Sequence, residues 1–196
     1  MKTHRLAVAS LALLSLASLP SPARAADSGG KAGPDAAKVE RGKYIVNAYA
    51  CGDCHTPWKM GENGPEPDNT LMLSGHPSGL ALPPPPKLEK DSLWVTVVAG
   101  TMTAWSGPWG VSFTRNLTPD AATGIGDWTE KEFIATIRNG KRRGIGRDLL
   151  PPMPWPALAN LTDDDLASIY AYLRTIPAIS NSVPDPLPPA AAPPKE

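Results

Sequence analysis

The sequence predicts an all-α domain in which a few helices and long loops wrap around a bound group. Three segments have the periodicity and capping residues of helices, and the 72 residues between His55 and Trp128 are rich in Gly and Pro with almost no helical periodicity. In addition, Cys51 and Cys54 lie just before His55. Loops that long are uncommon in a compact domain unless something other than helices supplies the core. A large apolar group held inside the chain supplies such a core.

The first 25 residues have the layout of a cleaved export signal. A basic start precedes an apolar run of 14 residues, and Ala23-Arg24-Ala25 forms a small-residue cleavage site before Ala26. An uncleaved anchor is the alternative, but a membrane-spanning helix needs about 20 residues. We therefore expect an exported protein, located in a bacterial periplasm, with no membrane span in the mature chain. Residues 26–35 are small and polar and predict a flexible leader.

The charge balance argues against a nucleic-acid-binding protein. The chain has 19 Lys+Arg and 19 Asp+Glu, and removal of residues 1–25 leaves 16 basic residues and a net charge of −3. A mature chain that is mildly acidic lacks the basic excess that binding to phosphate backbones requires.

The first predicted helix covers residues 36–50. Its mostly apolar face consists of Val39, Tyr44, Ile45, Ala48 and Tyr49. A glycine at position 42 costs about 1 kcal/mol relative to alanine inside a helix. Gly42 therefore either weakens the helix or allows another helix or the bound group to approach closely.

A haem-attachment motif follows this helix. Cys51-Gly52-Asp53-Cys54-His55 is C-x-x-C-H, the attachment sequence for c-type haem. The two thiols can add to the haem vinyl groups as thioethers, and the adjacent imidazole of His55 can coordinate the iron. The sequence therefore predicts one covalently attached haem c.

Three other interpretations of the two cysteines compete with haem attachment. A structural zinc site normally has four protein ligands, so it would need Cys51, Cys54, His55 and His76 together. A thioredoxin-like dithiol should lie near a βαβ pattern, which the surrounding sequence lacks. A simple disulfide would not require His55. We expect His76 to be a surface turn residue.

Two further helices are predicted after the long loop region. Thr129 to Glu132 reads as a capping box, and the apolar stripe that follows stops at Asn139-Gly140. Thr162 reads as an N-cap followed by three aspartates, with Pro177 ending the segment. Between the motif and these helices, residues 93–98 are β-prone, and the sequence leaves open whether they form a strand or a buried helical turn.

Residues 178–196 form a Pro-rich tail, predicted to be disordered or polyproline-like from Pro184. The domain predicted to hold the haem covers residues 36–177.

The haem iron needs a second axial ligand, or a reason to lack one. The mature chain offers His76 and four methionines, of which Met60 is only five residues past His55. Met153 lies in Pro151-Pro152-Met153-Pro154-Trp155-Pro156, between the two later helices. Because proline restricts φ, this segment can present a thioether rigidly. Met153 is therefore the predicted distal ligand.

The order of these motifs resembles the class I c-type cytochromes. A more specific resemblance is carried by Leu73-Ser74-Gly75, Asn116-Leu117-Thr118-Pro119-Asp120, Thr123-Gly124-Ile125-Gly126-Asp127-Trp128, Gly140-Lys141-Arg142, Met153-Pro154 and Ala171-Tyr172-Leu173. In these motifs the chain is similar to cytochrome c subunits of periplasmic alcohol, aldehyde and gluconate dehydrogenases and of molybdenum hydroxylases. It has one haem motif, whereas many members of that group have three.

The resemblance implies a cytochrome c fold and an electron-transfer function without enzyme activity. It implies thioether links at Cys51 and Cys54, proximal ligation by His55 and distal ligation by Met153. The expected partners are a dehydrogenase as electron donor and an oxidase or another cytochrome as acceptor. The alternative is a haem protein with an open or bis-His distal site that binds or reduces a small molecule.

A basic cluster precedes Met153 in the sequence. Its charges can pair with haem propionates, steer an acidic partner or form a solvated face. The cluster comprises Arg138, Lys141, Arg142, Arg143 and Arg147.

Overall fold

The computed structural model describes residues 35–89 and 91–189. The predicted export signal and all of the predicted leader except Asp35 lie outside the described residues. The helices are α1 (Ala36–Ala48), α2 (Cys51–His55), α3 (Glu130–Asn139), α4 (Trp155–Leu158) and α5 (Asp163–Leu173). The strands are β1 (Trp58–Gly61), β2 (Gly64–Pro67), β3 (Val97–Val98), β4 (Ala104–Gly107) and β5 (Gly110–Phe113).

The helices begin where their capping residues predict. The Thr129 side chain accepts a hydrogen bond from the Glu132 amide, and the Glu132 carboxylate accepts one from the Thr129 amide at 2.8 Å, which completes the capping box of α3. This helix ends before Gly140, whose φ of 63° stops it. Thr162 caps α5 by accepting from the Asp165 amide. None of the helices in the described ranges is long and apolar enough to cross a membrane.

The cap of α3 gives a first prediction about stability. Replacing Thr129 by alanine removes the oxygen that accepts from the Glu132 amide, and we expect a loss of about 1 kcal/mol in the free energy of unfolding. Urea unfolding followed by far-UV circular dichroism measures this change. Thr129→Ser keeps the oxygen and should retain most of the stability. An unchanged unfolding midpoint in Thr129→Ala would contradict a capping role.

Helices α1 and α5 cross at a glycine. A Cβ atom at Gly42 would lie 1.8 Å from the backbone oxygen of Ser168 and 2.9 Å from the Cβ of Tyr172. Of the two roles predicted for Gly42, the structure therefore supports the second, in which the glycine allows another helix to approach closely. Near the same crossing, the Arg41 side chain donates to the Asp165 carboxylate at 2.8 Å.

The hydrophobic core lies where α1, α3 and α5 meet, together with residues from the loops. Apolar side chains of α5 point into it, and Leu166 and Leu173 are almost fully buried. The buried cluster comprises Ile45, Val46, Leu73, Ile125, Phe133, Ile137, Leu158, Leu166, Ile169, Leu173 and Ile176.

The expectation of an all-α fold is corrected by two small antiparallel sheets in the loop region. β1 pairs with β2, and β4 pairs with both β3 and β5. The strands have two to four residues, and all of them except β3 contain Gly or Pro, so they have too little alternation to be recognised as strands. In the β-prone segment 93–98, only Val97 and Val98 form a strand, while Leu93 and Trp94 are exposed.

His76 is buried, which corrects the expectation of a surface turn residue. Its side chain is 0% exposed, its Nδ1 lies 2.9 Å from the Thr103 hydroxyl and its ring is tilted against Phe113. The loops that surround it therefore have a polar core of their own, in which hydrogen bonds take the place of apolar packing.

The residues that follow Ile176 pack against the domain as far as they are described. Residues 178–189, which we call the C-terminal strap, contain no helix and touch the strands through an isolated bridge between Leu187 and Val111. The Asn181 side chain is buried and donates to the backbone oxygens of Ser74 and His76. The predicted polyproline-like tail is thus held to the domain by hydrogen bonds up to this bridge, and the packed region extends beyond residue 177.

Candidate functional site

One cavity is lined by all four residues that the sequence predicts to bind the cofactor. Cys51, Cys54 and His55 come from α2, and Met153 comes from the proline-rich segment that precedes α4. The fold therefore brings together a thiol pair, an imidazole and a thioether from segments about 100 residues apart in sequence. Apolar side chains of the helices also line the cavity, namely Val46, Phe133, Ile137, Leu158, Leu166, Ile169 and Leu173.

Helix α2 follows a sharp turn at the end of α1. Ala50 has a left-handed backbone with φ of 52° and serves as the N-cap of α2. The five residues of the C-x-x-C-H motif then form about one and a third turns of helix. Because residues three apart share a helix face, Cys51 and Cys54 both reach the cavity beside His55.

The imidazole of His55 is oriented by a backbone carbonyl. The His55 side chain is buried, and its Nδ1 lies 2.7 Å from the carbonyl oxygen of Arg115. A carbonyl oxygen only accepts hydrogen bonds, so Nδ1 carries the proton and Nε2 keeps its lone pair. Burial lowers the pKa of His55, which favours this neutral form. A neutral imidazole with a free Nε2 is a metal ligand.

The two thiols are neutral and unbridged. Burial, together with smaller contributions from the charges of Cys54 and Asp53, raises the pKa of Cys51 to about 11. Burial also raises the pKa of Cys54. A reactive dithiol or a zinc thiolate needs a lowered pKa, so these surroundings do not favour the dithiol and zinc interpretations of the motif.

The zinc interpretation also lacks ligands. His76, its fourth candidate ligand, is hydrogen-bonded to Thr103 and does not line the cavity. Among residues 35–89 and 91–189, no group of three or more His, Cys, Asp or Glu side chains is placed to hold a metal ion.

Met153 is distinguished from the other candidate methionines by its position. It is half-buried, packs against the hydrophobic core, and lines the cavity. Met60 is 77% exposed on β1. Met72 and Met102 are absent from the cavity wall. In the part of the chain that the structure describes, Met153 is thus the one methionine that faces the site.

The cavity suits a haem by the chemistry of its wall. Its helical side is apolar, as the faces of a porphyrin require, and its donor set contains the thiols, imidazole and thioether of the predicted attachment. Trp128 also lines it, and the buried indole Nε1 of Trp128 has no hydrogen-bond partner within the described residues. A buried donor without an acceptor costs about 1–3 kcal/mol. An acceptor carried by a group inside the cavity, such as a carboxylate, would satisfy it.

The predicted basic cluster divides into two parts. Arg142 and Arg147 line the cavity. The other three side chains form ion pairs away from it: Arg138 with Asp163, Lys141 with Asp148 and Arg143 with Asp127. Because these carboxylates neutralise three of the five charges, less charge is left for steering an acidic partner than the sequence suggests.

Arg115 lines the cavity, but no sequence motif predicts a role for it. Arg115 lies in the loop after β5, orients His55 through its backbone oxygen and lines the cavity with its own side chain. No local pattern marks an isolated arginine in a loop. Its position next to the Asn116-Leu117-Thr118-Pro119-Asp120 motif is the signal that points to it.

Comparisons with known proteins agree with the resemblance found in the sequence. A family model for cytochrome c matches residues 39–177. The fructose dehydrogenase cytochrome subunit of Gluconobacter japonicus is 31% identical over 137 residues, which cover 70% of this chain and 21% of that protein. The cytochrome c subunit of the quinone alcohol dehydrogenase of Gluconobacter oxydans is 29% identical over 155 residues, covering 77% of this chain and 24% of that protein.

A third relative is the cytochrome c subunit of another dehydrogenase. The gluconate 2-dehydrogenase cytochrome c subunit of Pantoea cypripedii is 29% identical over 136 residues, which cover 69% of this chain and 22% of that protein. The chain therefore spans less than a quarter of the length of these three relatives.

Proposed function

The chain belongs to the cytochrome c family, whose cofactor is covalently bound haem c, and we propose that it is a mono-haem electron carrier. Cys51 and Cys54 hold the haem through thioethers, His55 is the proximal ligand of the iron and Met153 is the distal ligand. The observation that carries this proposal is the single cavity that all four side chains line.

The residues of this chain prepare the site for reversible electron transfer. When bound, the haem supplies a one-electron couple, and His/Met ligation favours ferrous iron and raises its reduction potential. The Arg115 carbonyl holds His55 in one tautomer with Nε2 available. Pro152 and Pro154 restrict the backbone on both sides of Met153, so little rearrangement is needed when the charge changes.

Two protein ligands leave no open position for a substrate. The carrier therefore takes one electron from a donor and gives one electron to an acceptor, and no bond of a substrate is made or broken. We propose a dehydrogenase as the donor, because the relatives are named as dehydrogenase subunits. An oxidase or a second cytochrome of higher potential is the proposed acceptor.

We further propose that the protein works in a bacterial periplasm. The support is the export signal predicted for residues 1–25. N-terminal sequencing of the exported protein tests this location, and a mature chain that starts at Ala26 is expected. An uncleaved N-terminus at Met1 would contradict it.

Two measurements test the electron-carrier proposal against its alternatives. After denaturing electrophoresis the band should stain for haem, because thioethers survive denaturation, and the stain should disappear in Cys51→Ala/Cys54→Ala. Asp53→Ala changes an exposed residue between the two cysteines and should keep the stain. A band without haem would contradict the proposal and favour the dithiol interpretation.

The second measurement distinguishes a closed distal side from an open one. Carbon monoxide added to the reduced protein should leave its optical spectrum unchanged, because Met153 already fills the sixth position of the iron. A rapid spectral change on addition of carbon monoxide would contradict distal ligation and support the small-molecule alternative. The bis-His form of that alternative receives no support from His76, which is buried outside the cavity wall.

A further inference from the structure

Three arginines lie together in the wall of the cavity. Arg115, Arg142 and Arg147 all line it, and the backbone amide of Arg142 donates to the carbonyl oxygen of Arg147 at 2.9 Å. Burial lowers the pKa of Arg115, and the charges of Arg147 and Arg142 lower it further. Like charges in a partly buried wall repel one another, so an anion among them would stabilise the arrangement.

The described residues offer these arginines little negative charge. The Asp185 carboxylate lies 3.8 Å from an Arg115 nitrogen, but its side chain is 91% exposed. The nearby Asp148 carboxylate is held by Lys141 at 2.5 Å, and Arg147 reaches only the backbone oxygen of Asp148. Three cations of the wall thus share one solvated carboxylate.

Arg142 and Arg147 keep guanidinium N–H donors that a ligand in the cavity can use. The guanidinium of Arg142 lies over the ring of Trp128, 5.7 Å from its centre, and this contact does not use its N–H donors in a salt bridge. The side chain of Arg147 donates one hydrogen bond, to the backbone of the next residue. A guanidinium has five N–H donors.

The C-terminal strap fixes the third arginine. One Arg115 nitrogen donates to the carbonyl oxygens of Val183 and Pro184, at 3.1 and 2.9 Å. The strap passes so close to Gly110, whose φ is 96°, that a Cβ there would lie 2.1 Å from the Leu187 oxygen. Pro186 of the strap lines the cavity itself. The strap therefore forms part of the wall in which Arg115 is held, and it lies beyond the family match, which ends at residue 177.

We propose that Arg115, Arg142 and Arg147 form a carboxylate-binding site that takes the two propionate groups of the haem, with the C-terminal strap as its outer wall. This proposal rests on the proposed function, since the haem brings the carboxylates. Guanidinium groups match carboxylates in charge and in donor geometry and make strong, charge-assisted hydrogen bonds to them. Three positive charges near the iron also favour the ferrous state.

The test uses variants of the full-length, haem-loaded protein. In Arg147→Gln and in Arg142→Gln, we expect a lower reduction potential, because a propionate that loses its cation favours ferric iron. The propionate bending bands in the resonance Raman spectrum should shift in the same variants. Arg147→Lys keeps the charge and should keep most of the potential. Arg41→Gln is the matched control, since Arg41 is paired with Asp165 and does not line the cavity, and it should change neither quantity.

The role of the strap has its own readout. In Arg115→Gln, the backbone oxygens of Val183 and Pro184 lose their donor. The amide of Leu187, which donates to the Val111 oxygen at 2.9 Å, should then exchange its hydrogen faster. The potential of this variant should fall as in Arg147→Gln. If the Leu187 amide exchanges its hydrogen at an unchanged rate in this variant, Arg115 does not hold the strap in place and this part of the proposal is wrong.

The outcomes separate this proposal from the proposed function. If Arg147→Gln and Arg142→Gln keep the potential and the Raman bands while the haem stain is present, the carboxylate site is wrong and the electron carrier stands. If the unaltered protein shows no covalent haem, the proposed function itself is contradicted. Arg142 is exposed, so its variant keeps the test valid if Arg147→Gln fails to fold.

Discussion

Replacing Gly42 by alanine is expected to destabilise the protein by about 3 kcal/mol, the upper end of the usual range for overpacking. The added Cβ would lie 1.8 Å from the backbone oxygen of Ser168, and no rotation of a side chain can relieve a contact with backbone. Helices α1 and α5 must therefore move apart at the centre of the core. Urea unfolding of the haem-loaded protein measures the loss.

The expected loss of stability in Gly42→Ala is opposite in sign to the effect that helix propensity predicts. Alanine is the better helix former by about 1 kcal/mol, so helix propensity alone predicts that Gly42→Ala stabilises the protein. Gly52→Ala is the matched control, because Gly52 is also helical and its added Cβ would meet only the Thr56 hydroxyl, at 3.6 Å. That variant should be as stable as the unaltered protein or slightly more so. A stabilising Gly42→Ala would show that the two helices do not cross as described.

Replacing Met153 by alanine is expected to open the distal side of the iron while the haem stays attached. The thioether that favours ferrous iron is lost, so the reduction potential should fall. Carbon monoxide, which the unaltered reduced protein should not bind, should bind to the variant. Potentiometric titration and carbon monoxide difference spectra measure the two changes, and the haem stain should be retained because Cys51 and Cys54 are untouched.

A second methionine separates ligation from packing. Met72 also packs against the hydrophobic core but does not line the cavity. Met72→Ala should lower the free energy of unfolding by about 2 kcal/mol, the lower end of the range for core methionines because Met72 is only partly buried, without changing the potential. If Met72→Ala and Met153→Ala shift the potential equally, the effect comes from loosened packing and Met153 is not a ligand.

The helices were predictable from local chemistry. The Thr129–Glu132 capping box and the Thr162 N-cap are complete within four residues of sequence, so no tertiary information is needed to place the starts of α3 and α5. The C-x-x-C-H motif likewise carries its own chemistry. Its fourth partner, Met153, was identified through the flanking prolines, and the structure adds that it lines the same cavity.

The strands and the polar loop core depend on contacts between distant residues. β4 and β5 have four residues each, which is too short for a recognisable alternation. His76 is buried through Thr103, 27 residues away. Asn181 reaches Ser74 across 107 residues. Sequence patterns of helical or strand period contain no information on such pairs.

The central claim is that His55 and Met153 together ligate the iron of a covalent haem. The optical spectrum of the purified ferric protein tests it most directly, through the weak far-red charge-transfer band that sulfur ligation gives to ferric haem. We predict that the band is present in the unaltered protein and in Met72→Ala, and is lost in Met153→Ala. A covalent haem without the band in the unaltered protein would contradict the claim, because the distal position would then be open or held by another group.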